Sequence, residues 1–415
     1  MSSKVSIVHF SRTPLAGAPV RLINALRSYT AYNVHLVDLK RWGLFDHDVV
    51  HSETPDRVFE LAAKADIIHL HNYLDYNSND FYPVDFKYLY KSGKIFLRQF
   101  HTHPESVAHV MGITAEELLA SSIPSIVIAQ FQERYYPHAR VVPNIIPQDS
   151  PPYRPLIKDL EHHVFYGPSV SIRAWEHRWN TKGMPETLAL LERVSRCTNC
   201  RVKWMSGQPL ADVMREKRRS HLVIDELVTG SYHMSGLEGL SLGKPVLAFL
   251  DERTQYVLRE ISGSDLCPFI NSRIEDGFDI LLYLLRHPDE MAEIGASSRE
   301  WIECYWADHI LVQHFVDVYE AILLNPGLIV RQESLRLHNK ATRFHALILP
   351  DLVYQSRSRC QDNNGVLDDA WTYAQRLIAG GRHMANNCLP SFLRKSLKNF
   401  WVHACRLVSK SKWLP

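Results

Sequence analysis

Four groups of side chains in this sequence have the types and spacing to do chemistry. Glu238 stands in Gly236-Leu-Glu-Gly-Leu-Ser-Leu-Gly-Lys-Pro-Val-Leu-Ala-Phe-Leu-Asp251, which reads as a short helix, a turn and a buried strand. A carboxylate on the first turn of such a helix is a bidentate acceptor for a diol. Ser235 and Gly236, just before it, let a ligand approach the backbone. Arg178 and Lys182 fall in the loop and helix start after a strand, where backbone N–H groups also face an anion; Arg173 is the nearby substitute. His101 and His103 close one strand, and His69 and His71 end its neighbour. An imidazole there can orient or deprotonate a hydroxyl near neutral pH. Asp225 and Glu226 end the strand that precedes the helix of Glu238, and Gly17 lies in the loop after the first strand.

Three other motifs carry less. The four strand-end histidines suggest a metal site, but no carboxylate or cysteine falls in a ligand motif with them. Asp46-His-Asp48 pairs two carboxylates, yet it follows Arg41-Trp-Gly-Leu-Phe45 rather than a strand end and reads as a polar loop. Cys197 and Cys200 form one CxxC with no second pair at zinc spacing, so they read as a helix–strand loop. No metal is expected. Seven cysteines at irregular spacing do not suggest a disulfide framework.

The elements that must position these groups alternate. Strands are expected at Val5 to Phe10, Val34 to Leu39, Ile67 to Leu70, Ile95 to Phe100, Ser125 to Ala129 and Arg140 to Val142. Helices are expected at Ala18 to Tyr29 and Pro55 to Lys64. Pro147, Pro151, Pro152 and Pro155 then make a stiff segment. Alternation resumes at Val164 to Tyr166 and runs to about Leu324. Two doubly wound parallel α/β units follow from this pattern, with ligands outside the carboxyl ends of their strands. The expected divisions are 1–150, 151–325 and a mainly helical extension, 326–415. The extension ends in an amphipathic stretch with Leu393, Leu397, Phe400, Trp401, Ala404 and Val408 at helical spacing. From Ser391 onward the chain carries six basic residues, Arg394, Lys395, Lys398, Arg406, Lys410 and Lys412, and no Asp or Glu, which suits contact with an anionic membrane surface.

Composition narrows the classes. Apolar content of 46% and charged content of 22% are ordinary for a globular protein. A net charge of +2, from 47 basic and 45 acidic residues, gives no nucleic-acid signature. No apolar run approaches a membrane span of roughly 20 residues, and the N-terminus enters a strand without a secretory apolar region. A cytoplasmic protein is expected.

Four segments, in this order and spacing, resemble the GT-B glycosyltransferases, most closely the family 4-like enzymes of bacterial surface-polysaccharide assembly. They are Phe10-Ser-Arg-Thr-Pro-Leu-Ala-Gly-Ala-Pro-Val-Arg21, Val142-Pro-Asn-Ile-Ile146, Tyr166-Gly-Pro-Ser169 with Arg178-Trp-Asn-Thr-Lys-Gly183, and Leu237-Glu-Gly-Leu-Ser-Leu-Gly-Lys-Pro-Val246. The resemblance covers roughly residues 3 to 325. It implies two Rossmann-like domains and a nucleotide-sugar donor, with no further cofactor. Arg178, Lys182 and Gly17 would hold the donor diphosphate, and Glu238 the nucleotide ribose. Ser235, Gly236 and Asp225 would lie near the donor, and His101 or His103 would serve the acceptor, a glycan or lipid-linked sugar. The family places a second glutamate eight positions before Glu238, where this chain has Gly230. That departure keeps two alternatives open: a nucleotide-sugar 2-epimerase of the same fold, or a binding module that has lost catalysis.

Overall fold

The computed structural model describes residues 4–156, 158, 160–168, 173–174, 182–325 and 343–362. Arg178 and the basic stretch from Ser391 onward lie outside them. Two parallel sheets organise the chain. The first contains β1 (Ser6–Ser11), β2 (Asn33–Asp38), β3 (Val49–Val50), β4 (Ile67–His71), β5 (Ile95–Phe100), β6 (Ser125–Ile128) and β7 (Arg140–Val142), in the order β3-β2-β1-β4-β5-β6-β7. The second contains β8 (His162–Tyr166), β9 (Val202–Trp204), β10 (Ser220–Glu226), β11 (Val246–Ala248) and β12 (Ile270–Asn271), in the order β12-β11-β10-β8-β9. Strand order therefore reverses between β1 and β4 in one sheet and between β8 and β10 in the other.

Around the first sheet lie α1 (Ala18–Tyr29), α2 (Pro55–Lys64), α3 (Phe86–Lys91), α4 (Pro104–Met111) and α5 (Ala115–Leu119). Around the second lie α6 (Met184–Cys197), α7 (Leu210–Arg218), α8 (Met234–Ser241), α9 (Glu252–Ser262), α10 (Gly277–Arg286) and α11 (Pro288–Tyr305), while α12 (Asp308–Leu324) returns to pack against α1 of the first. The helices expected at Ala18–Tyr29 and Pro55–Lys64, and the strands at Ile95–Phe100 and Arg140–Val142, have those bounds. The two-residue β3 and the short α3, α4 and α5 carry too little periodicity to be read in advance. Helix α8 begins at Met234, so Glu238 sits on its second turn rather than its first. Gly243, at φ +66°, ends that helix in the left-handed conformation expected of it.

Strands buried on both faces explain the short apolar runs. Val8 and Phe10 of β1 pack in one cluster with Val58, Ile68 and Phe86, while Ile7 on the opposite face joins Leu22, Leu26 and Tyr319. Each fully buried side chain of this kind contributes about 1.5–3 kcal/mol. Segments distant in sequence are tied by hydrogen bonds: Trp306 Nε1 donates to Asn144 O (3.1 Å), Asp308 N to Gln148 Oε1 (2.9 Å) and Tyr29 O–H to Asp308 Oδ1 (2.8 Å). The chain divides into two compact units, Met1–Leu352 and Val353–Pro415; both sheets belong to the first. Of the second unit, 353–362 are described and are helical. No helix among the described residues is long and apolar enough to cross a membrane.

Candidate active site

At the strand-order reversal of the second sheet, β10 delivers Asp225 and α8 delivers Glu238. Lys182 follows β8 and reaches Asp225 Oδ1 at 2.8 Å, while Tyr166 O–H holds the Lys182 carbonyl at 3.0 Å. Asp225 Oδ2 accepts from His233 N, the residue before α8, at 2.5 Å. Each Glu238 oxygen has its own cation: Arg21 Nη2 of α1 at 2.5 Å and Lys217 Nζ of α7 at 2.5 Å. Lys217 also donates to Ser235 Oγ (3.0 Å), and Arg21 Nε donates to Tyr153 O–H (3.0 Å). All five charged side chains are buried. Burial raises the affinity of both carboxyls for protons, but Lys217 and Arg21 at Glu238, and Lys182 at Asp225, outweigh it and hold both below the usual carboxyl range. Burial lowers Lys217 below the usual lysine value, with Glu238 opposing it. Three cations and two carboxylates thus form two buried ion-pair groups, Lys182–Asp225 and Arg21–Glu238–Lys217, beside the start of α8.

The sequence reading brings Lys182, Asp225, Ser235, Gly236 and Glu238 to this place, and the structure sets them together. It also supplies Arg21 and Lys217, which the sequence reading passed over. Gly236 has a definite role, because a Cβ there would lie 2.6 Å from Asp225 Oδ2. The missing side chain lets the helix close on the carboxylate. Arg173 lies 3.6 Å from Glu186 Oε1.

Gly230 stands where the resembling family has its first glutamate. Its φ is +88°, and a Cβ would lie 3.1 Å from Asp251 Cβ. Glu226 does not extend toward a ligand: its oxygens accept from the amides of Val228, Thr229, Gly230 and Ser231 at 2.7–3.2 Å. This loop is fixed from the other sheet. Arg134 grips Asp251 through two 2.8 Å bonds, and Arg253 grips Glu133 at 2.8 and 3.0 Å. Tyr232 O–H donates to Ala129 O.

At the reversal of the first sheet the chemistry is different. His9 and His69 are register partners on β1 and β4, and alternation puts His71 on the same face as His69. His71 Nδ1 is 3.1 Å from His101 Nε2, and His71 Nε2 is 3.1 Å from His9 Nδ1. His9 Nε2 is 3.2 Å from Tyr319 Oη of α12, which is 2.8 Å from His69 Nδ1. The rings of His69 and His71 stack with centroids 4.7 Å apart. His9, His69, His71 and Tyr319 are fully buried, and His101 is partly exposed. Burial, then neighbouring imidazoles, holds His9, His69 and His71 well below the ordinary histidine value, and burial pushes His101 down to about 3. Asn72 fixes the outer end: at φ +46° its Oδ1 accepts from His101 N at 2.6 Å and its Nδ2 donates to Thr102 Oγ1 at 2.9 Å. A non-glycine residue in that conformation costs about 1–3 kcal/mol and persists only where its surroundings enforce it.

His101 therefore ends a chain of imidazoles, whereas His103 caps α4, its Nδ1 accepting from Glu105 N at 3.3 Å. Nitrogens of His9, His69 and His71 lie within 4.8 Å of one another, close enough for a metal ion, although hydrogen bonds already use most of them. In the loop after β1, Leu15, Ala16 and Gly17 have φ of +46°, +53° and +75°. A Cβ on Gly17 would meet the Phe45 ring at 2.7 Å. The Asp46-His-Asp48 tripeptide lies in a loop, where Asp48 binds Arg27 (2.6 Å) and Leu36 N (3.0 Å).

No family model and no curated protein matches the chain. Solved structures do. A glycosyltransferase from Rickettsia africae ESF-5 is 13% identical, with 78% of this chain and 100% of that chain covered at a TM-score of 0.50. Sucrose-phosphate synthase from Thermosynechococcus elongatus is 12% identical, covering 77% and 100% at 0.51. An α-glucosyltransferase in complex with UDP-glucose and DNA containing an abasic site is 12% identical, covering 77% and 99% at 0.53. Identities this low bear on architecture alone. With a seven-stranded and a five-stranded parallel sheet, the chain has the GT-B fold of these glycosyltransferases.

Proposed function

We propose that this protein transfers a sugar from a nucleotide-sugar donor to a glycan or lipid-linked acceptor, without a metal ion, in cell-surface polysaccharide synthesis. One observation carries the reading: the buried ion-pair groups in which Lys182, Lys217 and Arg21 outnumber Asp225 and Glu238 at the strand-order reversal of the second sheet. A diphosphate leaving group gathers negative charge as the bond to the sugar breaks, and fixed cations beside a helix N-terminus stabilise it. Lys182 and Arg178 are the proposed diphosphate ligands, together with Gly17. Glu238 is the proposed ribose acceptor; Arg21 and Lys217 each hold one of its oxygens, and the ribose hydroxyls would use the remaining lone pairs. The UDP-glucose bound by the α-glucosyltransferase of like fold supports a uridine diphosphate donor. A lipid-linked acceptor suits the basic end of the chain.

A second reading has its own observation. Asp225, Glu226 and Glu238 are all engaged, and Gly230 replaces the remaining family carboxylate. A module that binds a nucleotide without transferring sugar fits that arrangement. A panel of nucleotide sugars separates the two. Transfer predicts one donor that raises Tm and is consumed, with both effects lost in Lys182→Ala. Binding without consumption favours the second reading, and no binding by any donor removes both. Liposome binding that survives deletion of 391–415 removes the membrane part.

A further inference from the structure

The four hydrogen bonds linking His101, His71, His9, Tyr319 and His69 allow few proton arrangements. A neutral imidazole has one N–H and one lone pair, and a phenol has one hydrogen. Each interior imidazole of the chain uses both of its positions, so it must donate on one side and accept on the other. A Tyr319 that accepted from both sides would leave its own hydroxyl hydrogen buried without a partner, so the patterns that use every proton run all four bonds in the same sense, and there are two of them. In one, His101 donates from Nε2 and the sequence ends at His69 Nε2–H. In the other, every proton is reversed and His69 Nε2 presents a lone pair.

The buried end chooses between them. His69 Nε2 and Gln99 Oε1 are both buried without a hydrogen-bond partner, and Gln99 is near enough to His69 to act on its protonation. The contact is too loose for a full hydrogen bond, yet Gln99 still raises the proton affinity of His69. A proton on His69 Nε2 meets that carbonyl oxygen favourably; a lone pair would oppose it, and an unmet buried polar pair costs about 1–3 kcal/mol. The favoured pattern leaves His101 protonated at Nε2, with a lone pair on Nδ1. His101 is the partly exposed member, just beyond the carboxyl end of β5.

We infer that His71, His9 and Tyr319 are positioning residues that fix His101 as its Nε2–H tautomer, so that Nδ1 accepts a hydrogen bond from the hydroxyl of the acceptor sugar. The choice of acceptor hydroxyl as ligand rests on the proposed glycosyl transfer; the tautomer does not. Asn72 holds the backbone of His101, and the buried chain holds its ring, so the lone pair has one orientation.

The test is nitrogen NMR on the full-length protein labelled with 15N-histidine at pH 7.5, with His101 assigned by its loss in His101→Gln. Nitrogen shifts distinguish the two neutral tautomers without substrate. The expected result is Nε2–H for His101 in the wild type and a mixture in Tyr319→Phe, which removes the hydroxyl that passes the pattern on. An Nδ1–H tautomer in the wild type overturns the inference and needs no variant beyond the assignment. An unchanged tautomer in a folded Tyr319→Phe also overturns it, as does one zinc per chain in the purified protein that disappears in His69→Ala. With the donor found by the panel, Tyr319→Phe should lower kcat about 10- to 100-fold at unchanged donor KM, the usual loss when a partner orienting a functional imidazole is removed. If no donor turns over but His101 is Nε2–H, the transfer reading fails and the tautomer stands. If a donor turns over and His101 is Nδ1–H, the reverse holds.

Discussion

Each sheet buries a polar cluster where its strand order reverses, and the two clusters are made of opposite chemistry. In the second sheet the members are ions: Arg21, Lys182 and Lys217 against Asp225 and Glu238. In the first they are neutral: four histidines and a tyrosine joined end to end. Burial is the dominant influence on both and acts differently on each. Where an opposite charge lies at 2.5–2.8 Å, the carboxyls stay ionised. Where none does, the histidines lose their protons. One fold thus holds a charged cluster and an uncharged one; under the proposed transfer the first would meet the donor phosphate and the second the acceptor hydroxyl.

Acid should break the comparison most strongly. The folded pKa values of His9, His69, His71 and His101 lie below the ordinary 6.5, so the unfolded chain binds more protons as pH falls below that value. Stability is present above pH 6.5 and is lost on the way down. Each group contributes about 1.4 kcal/mol per pH unit, so the four together cost up to about 5 kcal/mol between pH 7.5 and 5.5. The depressed Asp225 and Glu238 act with the same sign in a lower window: their contribution persists between pH 7.5 and 5.5 and fades only as pH falls through and below the ordinary carboxyl range. Urea unfolding across the window should show the steep loss, with a shallower slope in His101→Gln. His163, His221 and His314, also below their ordinary value, add to the total.

Removing one ion tests the charged side. Glu238→Ala leaves Arg21 and Lys217 buried without their carboxylate and should cost about 3–5 kcal/mol, read from the urea midpoint at constant m. A cost below 1 kcal/mol means that the network is not closed in solution. The neutral side should lose less for a comparable deletion. Tyr319→Phe strands one nitrogen each on His9 and His69, for about 1–3 kcal/mol. Gly230→Ala should have the smallest effect, about 1–2 kcal/mol. It forces a Cβ into the left-handed region beside Asp251 and checks whether the loop is held as tightly as its clamps imply.

The parallel strands are legible because burial on both faces leaves only short apolar runs, and the helices because of their apolar rows. The ligand-facing ends of β8 and β10 follow from the same pattern. Partner identity is not legible, since it depends on contacts across the fold. Arg21 shares a buried row with Ala18, Leu22 and Ala25, and Lys217 follows Met214 by three residues on the buried side of α7. A cation on such a row demands a buried anion. The sequence contains that demand but does not say that Glu238, 217 and 21 positions away, meets both. His9, inside the doubly buried β1, sends the same kind of signal. Gly230 reads as a missing carboxylate in the sequence; in the fold it is a backbone position pressed against Asp251.

Tyr319 also bears on synthesis. The strands carrying His9, His69 and His71 are complete by residue 71, and the sheet by Val142, yet the hydroxyl that joins His9 to His69 arrives with α12. At roughly 5–20 residues per second, a ribosome takes on the order of 10 to 40 s to travel from the last strand of that sheet to α12. During that interval the nascent first half holds imidazoles whose final partner does not yet exist. A truncation before Asp308 would reproduce that unfinished state permanently, so the last turns of α12 belong to the heart of the first sheet, although they are made long after it.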